Sequence, residues 1–433
     1  MLQRLFHLET NGTTWRREVR AGLATFLTMS YILFVHPRIL EDAGMPASDV
    51  LSATALASAL ACLVMGLWAN LPFALAPGMG INAYFTYSVV QGMGVPWQTA
   101  LAAVFVEGLL FLALALSGFR TAVLEAVPAP VRDGVMAGIG LFLALIGLQN
   151  AGLVVDHPTT LVSLGSLAEP GVLLALTGLL VAAALMARRV PGALLVTIVG
   201  LAVISWAFGI APAPSQWVQA PQLPTETLLA VDWSMLFDVS LIPVILALFF
   251  VDFFDTAGTL MGVGRLAGLQ DRSGNLPRSD RAFTADALGT SAGALLGTST
   301  VTTYIESAAG VEEGGRTGLV SVTVAGLFLA SLFFAPVFIA VPAFATAPIL
   351  VLVGALMMGG VRSLDWSDPS AAVPAFLTLA VMPFTYSIAH GLAAGIVSWV
   401  LLRAATAPLR EVGALRAVLA VVIVAYYAFE LMG

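Results

Sequence analysis

The chain returns repeatedly to stretches of roughly 20 mostly apolar residues, the length a helix needs to cross the hydrocarbon core of a bilayer. In lipid every backbone polar group must be satisfied inside the protein, so a chain built this way folds as a bundle of membrane helices. Spans are expected near 19–36, 49–69, 96–117, 133–152, 170–187, 191–210, 238–263, 281–297, 315–339, 345–360, 372–388 and 390–404. Two further segments, 72–92 and 297–313, are apolar but interrupted; counting them gives fourteen transmembrane segments. A last hydrophobic stretch, 415–431, either spans or lies in the interface as a terminal helix. Composition excludes a soluble alternative: 59% of the residues are hydrophobic and 10% charged, against about 25% charged in a soluble domain. The expected class is an all-α polytopic membrane protein.

Arginine sets the direction of threading. The 18 basic residues are all arginine, and cytoplasmic loops collect positive charge. With the N-terminus inside, Arg4, Arg16, Arg17 and Arg20 lie on the cytoplasmic side. So do Arg120, Arg132, Arg188, Arg189, Arg265, Arg272, Arg278, Arg281, Arg316 and Arg362, followed by Arg403, Arg410 and Arg416. Only Arg38 falls outside. The loop 211–237 has no arginine and is rich in proline; with Trp217 and Trp233 it reads as an amphipathic stretch at the outer interface. The polar N-terminus, MLQRLFHLETNGTTWRREVR, has no apolar signal-peptide core, and no cleavage is expected.

The chain reads as two related halves. Ala126-Val127-Pro128-Ala129 and Ala340-Val341-Pro342-Ala343 each open a glycine-bearing apolar helix, and each is the fifth span of a seven-span half. Seven is odd, so the second half enters from the opposite side: a 7+7 inverted repeat, a plan used by secondary transporters. Biased composition is the competing explanation of the match. The third span of each half is the interrupted one. The first carries Pro72, Pro77, Gly78 and Gly80; the second carries Gly297 and the run Thr298, Ser299, Thr300, Thr302, Thr303. Each is read as a short extended piece followed by a half helix, because non-helical backbone survives at membrane depth only where protein or a water-filled cavity satisfies it. Such paired interruptions point to a binding site near mid-bilayer.

Ionisable side chains inside the membrane carry the chemistry. The candidates are Glu107, Asp252, Asp255, Asp286 and Glu306. Asp252 and Asp255 share a helix face with Thr256 and Thr259. Two carboxyls this close in a low dielectric resist ionising together and would exchange protons as a unit, unless they are neutral structural acids. Glu306 follows the second extended piece, where it could accept hydrogen bonds from ring N–H groups of a ligand. Asn82 holds the matching place in the first half; it offers donor and acceptor, or caps its half helix. Glu107 is read as a structural hydrogen-bonding group, and Asp286 is left without a role. Phe249, Phe250, Phe253 and Tyr304 could supply apolar faces to a flat ligand, or simply face lipid or core. Cys62 alone excludes a cysteine-based metal centre. No metal-binding histidine spacing and no phosphate loop appears, so neither cofactor nor ATP drive is expected, and an ion gradient remains as the energy source.

At these residues the chain resembles the nucleobase/ascorbate transporter superfamily, to about residue 410. Thr302-Thr303-Tyr304-Ile305-Glu306 is similar to the Thr-Thr-Tyr-Gly-Glu of bacterial uracil permeases, with Ile305 in place of glycine. The azaguanine-permease-like purine branch is resembled by Thr28-Met29-Ser30-Tyr31, by Ala76-Pro77-Gly78-Met79-Gly80-Ile81-Asn82-Ala83, and by Phe253-Phe254-Asp255-Thr256-Ala257-Gly258-Thr259. Val35-His36-Pro37 departs from the Val-Asn-Pro of that pattern. The resemblance implies a uracil-permease-like fold with a cytoplasmic N-terminus (1–18), a core domain (19–118 and 238–340), a gate domain (119–237 and 341–410) and a terminal hydrophobic helix (411–433). It implies substrate ligands at Asn82, Asp252 and Glu306, to which the neighbouring Thr302, Thr303 and Ile305 are added, with Thr256 behind them. Asp255 would serve proton coupling. The implied activity is uptake of adenine, guanine or hypoxanthine by proton symport through the inner membrane, with a homodimer formed through the gate domain and no dealings with nucleic acid. A uracil- or xanthine-type permease and an anion transporter on the same fold are the alternatives. An intramembrane enzyme is not expected, because no nucleophile–base pair is found.

Overall fold

The computed structural model describes residues 2–117, 127–234, 241–271 and 275–430. Arg120 and Arg272, both expected on the cytoplasmic side, and the start of the span 238–263 lie outside the described residues. Among the described residues the fold is helical, with two small two-stranded sheets. Among the described residues, nine helices are long and apolar enough to cross a membrane, and Ala193–Ala207, Pro369–Thr385 and Ala414–Ala428 are shorter apolar helices.

The chain divides into two compact units, residues 1–116 with 146–352, and residues 117–145 with 353–433. In the first, a single helical turn (Leu2–Leu5) is followed by α1 (Trp15–Met29), α2 (Ile32–Glu41) and α3 (Ala47–Val64). Thr14 caps α1, its side chain accepting from the Arg17 amide. α1 and α3 both pack against α4 (Leu319–Ser331), and α3 also against α5 (Ser279–Leu296). Buried acceptors at each end of this packing hold backbone N–H groups that no helix satisfies. The Glu18 carboxylate accepts from the amides of Arg316 and Thr317 and from the Thr317 hydroxyl. Asn70, in the left-handed conformation at φ 50°, accepts from the Gly318 amide that opens α4. Asp49 accepts from the amides of Thr225, Glu226 and Thr227 in the loop after Ala207.

That loop is irregular over 211–230, without the helix that an amphipathic stretch would form. Its tryptophans are half-exposed, and Trp217 meets Trp206 edge to face. After Gly152, at φ 69°, the chain forms a hairpin of β1 (Val154–His157) and β2 (Leu161–Leu164), which the helical reading of the sequence did not anticipate. β-branched and leucine residues flank a Pro-Thr-Thr turn there, a pattern too short to stand out beside apolar helices.

The second small sheet lies at the heart of the first unit. β3 (Leu75–Pro77) pairs antiparallel with β4 (Val301–Thr303), Ala76 opposite Thr302. The ladder is continued by the Gly78 amide, which donates to Thr300, and the Tyr304 amide, which donates to Ala74. β3 leads into the short helix Met79–Ala83, and β4 into Ser307–Glu312. α5 ends at Gly297, whose φ of 96° a residue with a side chain rarely adopts, so the chain turns sharply into the extended run 298–300.

In the second unit, Pro369–Thr385 and Ile388–Thr406 pack against each other. Tyr386, at φ 52°, ends the first, and Ser387 caps the second through the His390 amide. Ala414–Glu430 packs against the second of these.

Candidate functional site

Four helices pack against the β3–β4 ladder: α3, α5, the helix α7 (Ile242–Leu266) and α2; the helix α6 (Trp97–Ser117) meets the extended run before β4 through Glu107 and Thr300. The residues singled out from the sequence fall into an outer group and an inner group around it.

The outer group reaches the surface of the unit. Asp255 and Glu306 are half-buried, and Ile305 between the strand and the following helix is 62% exposed. The two carboxyls are electrostatic neighbours. Tyr31, itself buried, donates to Glu306 Oε1 at 2.7 Å. The Thr28 hydroxyl lies 3.4 Å from the Glu306 carbonyl. Tyr304 points the other way, donating to the Pro77 carbonyl and so tying the end of β4 to the end of β3. Carboxylates and a phenol beside an apolar side chain can bind a flat, neutral, N–H-bearing ligand.

The inner group has no access to solvent. Asn82 lies on Met79–Ala83 and accepts from the Ser299 hydroxyl, joining the two interrupted segments. Gly78, not Asn82, is the residue that precedes that helix, and no side chain caps it. Asp252 is fully buried, and neither of its oxygens has a protein donor. Its charged neighbours are Asp286, Glu107 and Asp255. Thr256 donates to Asp286 Oδ2 at 2.6 Å and shares a hydrogen with Thr302 at 2.9 Å. Thr303 gives its hydroxyl hydrogen to the same Asp286 oxygen at 3.0 Å, and its amide donates to Thr256 at 3.2 Å. Thr300 donates to Glu107 Oε2 at 3.3 Å.

Phe249 and Phe253 form a ring cluster with Phe111 and Phe283, all within 6.1 Å of a neighbour. Phe250 stacks on Phe254. Glu107 bonds a neighbouring segment, as the sequence suggested, but the segment is the extended run before β4. Asp286, without a role from sequence, is the acceptor on which Thr256 and Thr303 meet. Tyr31 belongs to the Thr28–Tyr31 motif, but a tyrosine in an apolar stretch has no charge to mark it as a partner of Glu306. His36, the departure from the family pattern, is buried with Nε2 2.7 Å from the Thr298 hydroxyl. Among the described residues there is no group of ligating side chains that could hold a metal.

Residues 16–394 match the model of the Permease family, xanthine/uracil type. The chain belongs to the permease family. It is therefore a multi-pass membrane protein and a transporter, not an enzyme. It is 43% identical over 411 residues to the adenine permease AdeP of Escherichia coli, covering 95% of this chain and 92% of that one. It is 42% identical over 424 residues to the guanine/hypoxanthine permease PbuO of Bacillus subtilis, covering 96% and 98%. These relatives agree with the azaguanine-like branch read from the motifs. Among solved structures, the transmembrane domain of a cyanobacterial bicarbonate transporter, BicA, superposes with a TM-score of 0.66 at 18% identity, over 88% of this chain and 97% of that one. That likeness shows the fold, the seven-plus-seven plan of uracil-permease-like transporters.

Proposed function

We propose that this permease takes up purine nucleobases, adenine, guanine or hypoxanthine, by proton symport with alternating access. The observation that carries the reading is the placement of Glu306 and Asp255. Two neighbouring carboxyls reach the surface of the unit beside the strand pair, and one of them is held in position by Tyr31. A purine presents ring N–H groups along one edge, which carboxylates accept. A bicarbonate-type anion would be repelled by the same two groups, so the fold shared with an anion transporter does not extend to its ligand. The names of the similar permeases support the same substrate class.

In this reading Glu306 and Ile305 meet the base. Asn82, Asp252, Thr302 and Thr303 form the floor behind them, Thr256 and Tyr304 brace that floor, and Phe249 and Phe253 support it from the core. Asp255 handles the proton. The chain spans the membrane fourteen times with its N-terminus in the cytoplasm, in the inner membrane of the cell. Residues 19–118 and 238–340 act as core domain. Residues 119–237 and 341–410 act as gate domain and carry a homodimer contact. Arg38 bears on the orientation: as the one outward arginine it donates to the carbonyls of Ile339 and Val341 and pairs with Glu41, so its charge is used in packing.

A thermal-shift panel of purines and pyrimidines on the purified protein tests the substrate. Stabilisation by adenine, guanine or hypoxanthine is expected. A response to uracil alone, or to none of the purines, refutes the purine reading.

A further inference from the structure

The extended run 298–300 carries three consecutive hydroxyls, and a different segment from the first part of the chain holds each one. Thr298 lies 2.7 Å from Nε2 of His36, on α2. Ser299 donates to Oδ1 of Asn82, on the half helix Met79–Ala83. Thr300 donates to Oε2 of Glu107, on α6, at 3.3 Å. All six residues are fully buried. Successive side chains of an extended segment leave from opposite faces, so the run is held from both sides. Its backbone is fixed at the two ends: the Thr298 amide donates to the Gly293 carbonyl where α5 stops, and the Thr300 carbonyl accepts from the Gly78 amide. Ser299 lies between these points, and its placement depends on the side chains around it.

His36 is the member of this set that packing alone does not explain. Its Nδ1 has no hydrogen-bond partner in the protein. A buried polar atom left without a partner costs about 1–3 kcal/mol, which a leucine at this place would avoid. What the imidazole adds is reach, through Nε2, to Thr298. α2 also packs against Met79–Ala83. One helix therefore meets both the half helix that bears Asn82 and, through His36, the run that orients Asn82. Orientation decides what a carboxamide can recognise, because it has an acceptor oxygen on one side and two donor hydrogens on the other. Ser299 occupies the Asn82 oxygen. The N–H₂ group, whose protein neighbour is the weakly accepting Met79 sulfur at 4.0 Å, is left for an acceptor atom of the base.

We propose that His36 is a positioning residue of the substrate site. It fixes Thr298, hence the adjoining Ser299, and so the side of Asn82 that is turned to the base. It touches neither the base nor the coupled proton. The proposal rests on the purine reading, with Asn82 in the floor of the site, and deepens it: the group that Asn82 offers is a donor, suited to a ring nitrogen or a carbonyl oxygen of the base.

The test is calorimetry of hypoxanthine binding to the purified full-length protein, because one titration gives both the affinity and the fraction of molecules that bind. His36→Leu is expected to weaken binding roughly three- to tenfold, the worth of one hydrogen bond, with the binding fraction unchanged. His36→Gln, whose terminal atoms reach as far as Nε2, should restore most of the affinity. A role in packing alone would do the reverse, lowering the binding fraction at unchanged affinity, and that result overturns the proposal. Ser299→Ala should weaken binding to a similar extent, and His36→Leu added to it should weaken binding by less than about twofold more. The full His36→Leu loss in both backgrounds, or wild-type affinity in Ser299→Ala, overturns the proposal and leaves the purine reading intact. Should His36→Leu not fold, Thr298→Val and Thr298→Ser decide. The valine should bind as weakly as His36→Leu is expected to, and the serine as the wild type does; equal affinities overturn the proposal. A wild-type protein that binds no purine overturns the purine reading itself, and the proposal with it.

Discussion

Tyr31 donates its phenolic hydrogen to Glu306 at 2.7 Å, joining the break between α1 and α2 in the first span to the turn beyond β4. Both groups are closed in by protein on most sides, so the bond replaces water that neither can easily reach. Hydrogen bonds to charged groups contribute about 1.5–3 kcal/mol. Tyr31→Phe leaves the Glu306 oxygen free to turn from the base. Purine affinity measured by calorimetry should fall by roughly tenfold or more; an unaltered affinity would separate Tyr31 from the site.

Substitution of the acids should divide binding from movement. Glu306→Gln and Asp252→Asn should abolish detectable purine binding. Asp255→Asn should bind and yet transport slowly, because it keeps the shape of the site but cannot deliver a proton. Undiminished hypoxanthine uptake by all three variants would remove the acids from the mechanism.

Glu18 offers a purely structural test. Its oxygens take three hydrogen bonds from Arg316 and Thr317, at 2.7–3.0 Å. Glu18→Gln turns one acceptor into an N–H₂ group that points at donors. The expected cost is about 2–3 kcal/mol, visible as a lower unfolding temperature in detergent. A variant as stable as the wild type would mean that this packing does not depend on the carboxylate.

Gly318 stands against Gly66 so closely that a methyl group would fall on the Gly66 carbonyl, with the Gly66 Cα 2.7 Å away. Both neighbours are backbone and cannot rotate aside. Gly318→Ala should destabilise the contact between the segment after α3 and α4 by at least about 1–3 kcal/mol. The same melting assay reads it, and normal stability would show that the helices part freely there.

The threading is tested by thiol labelling in a Cys62→Ser background. A membrane-impermeant maleimide should reach Ser215→Cys in intact cells, and Thr10→Cys only after the membrane is opened. The reverse pattern would invert the topology.

Much of this molecule is legible in its sequence, because the physics of lipid is strict. Long apolar runs, charges placed inside them and prolines or glycines that interrupt them each admit few explanations. Asp252, Asp255, Asp286, Glu107 and Glu306 all stood out, and all of them gather around one strand pair. Partnership was harder to see. That Asp286 receives two threonines while Asp252 receives no donor depends on the rotation of three helices, which spacing does not encode. The same holds for Tyr31 and for Ser299 against Asn82. The hairpin at 154–164 was missed for a different reason: four-residue strands have too few side chains to show a period.

The pairing of β3 with β4 bears on how the chain is assembled. Ala76 meets Thr302, a residue synthesised 226 positions later, on the order of ten seconds or more at ~5–20 residues per second. Throughout that interval the backbone of Leu75–Pro77 has no ladder partner, in a setting where unsatisfied amides cost several kcal/mol each. The first half of the chain is thus an incomplete solute in the bilayer, finished only when its counterpart arrives. A chain cut between the halves should remain open to rescue by the missing half supplied as a separate polypeptide.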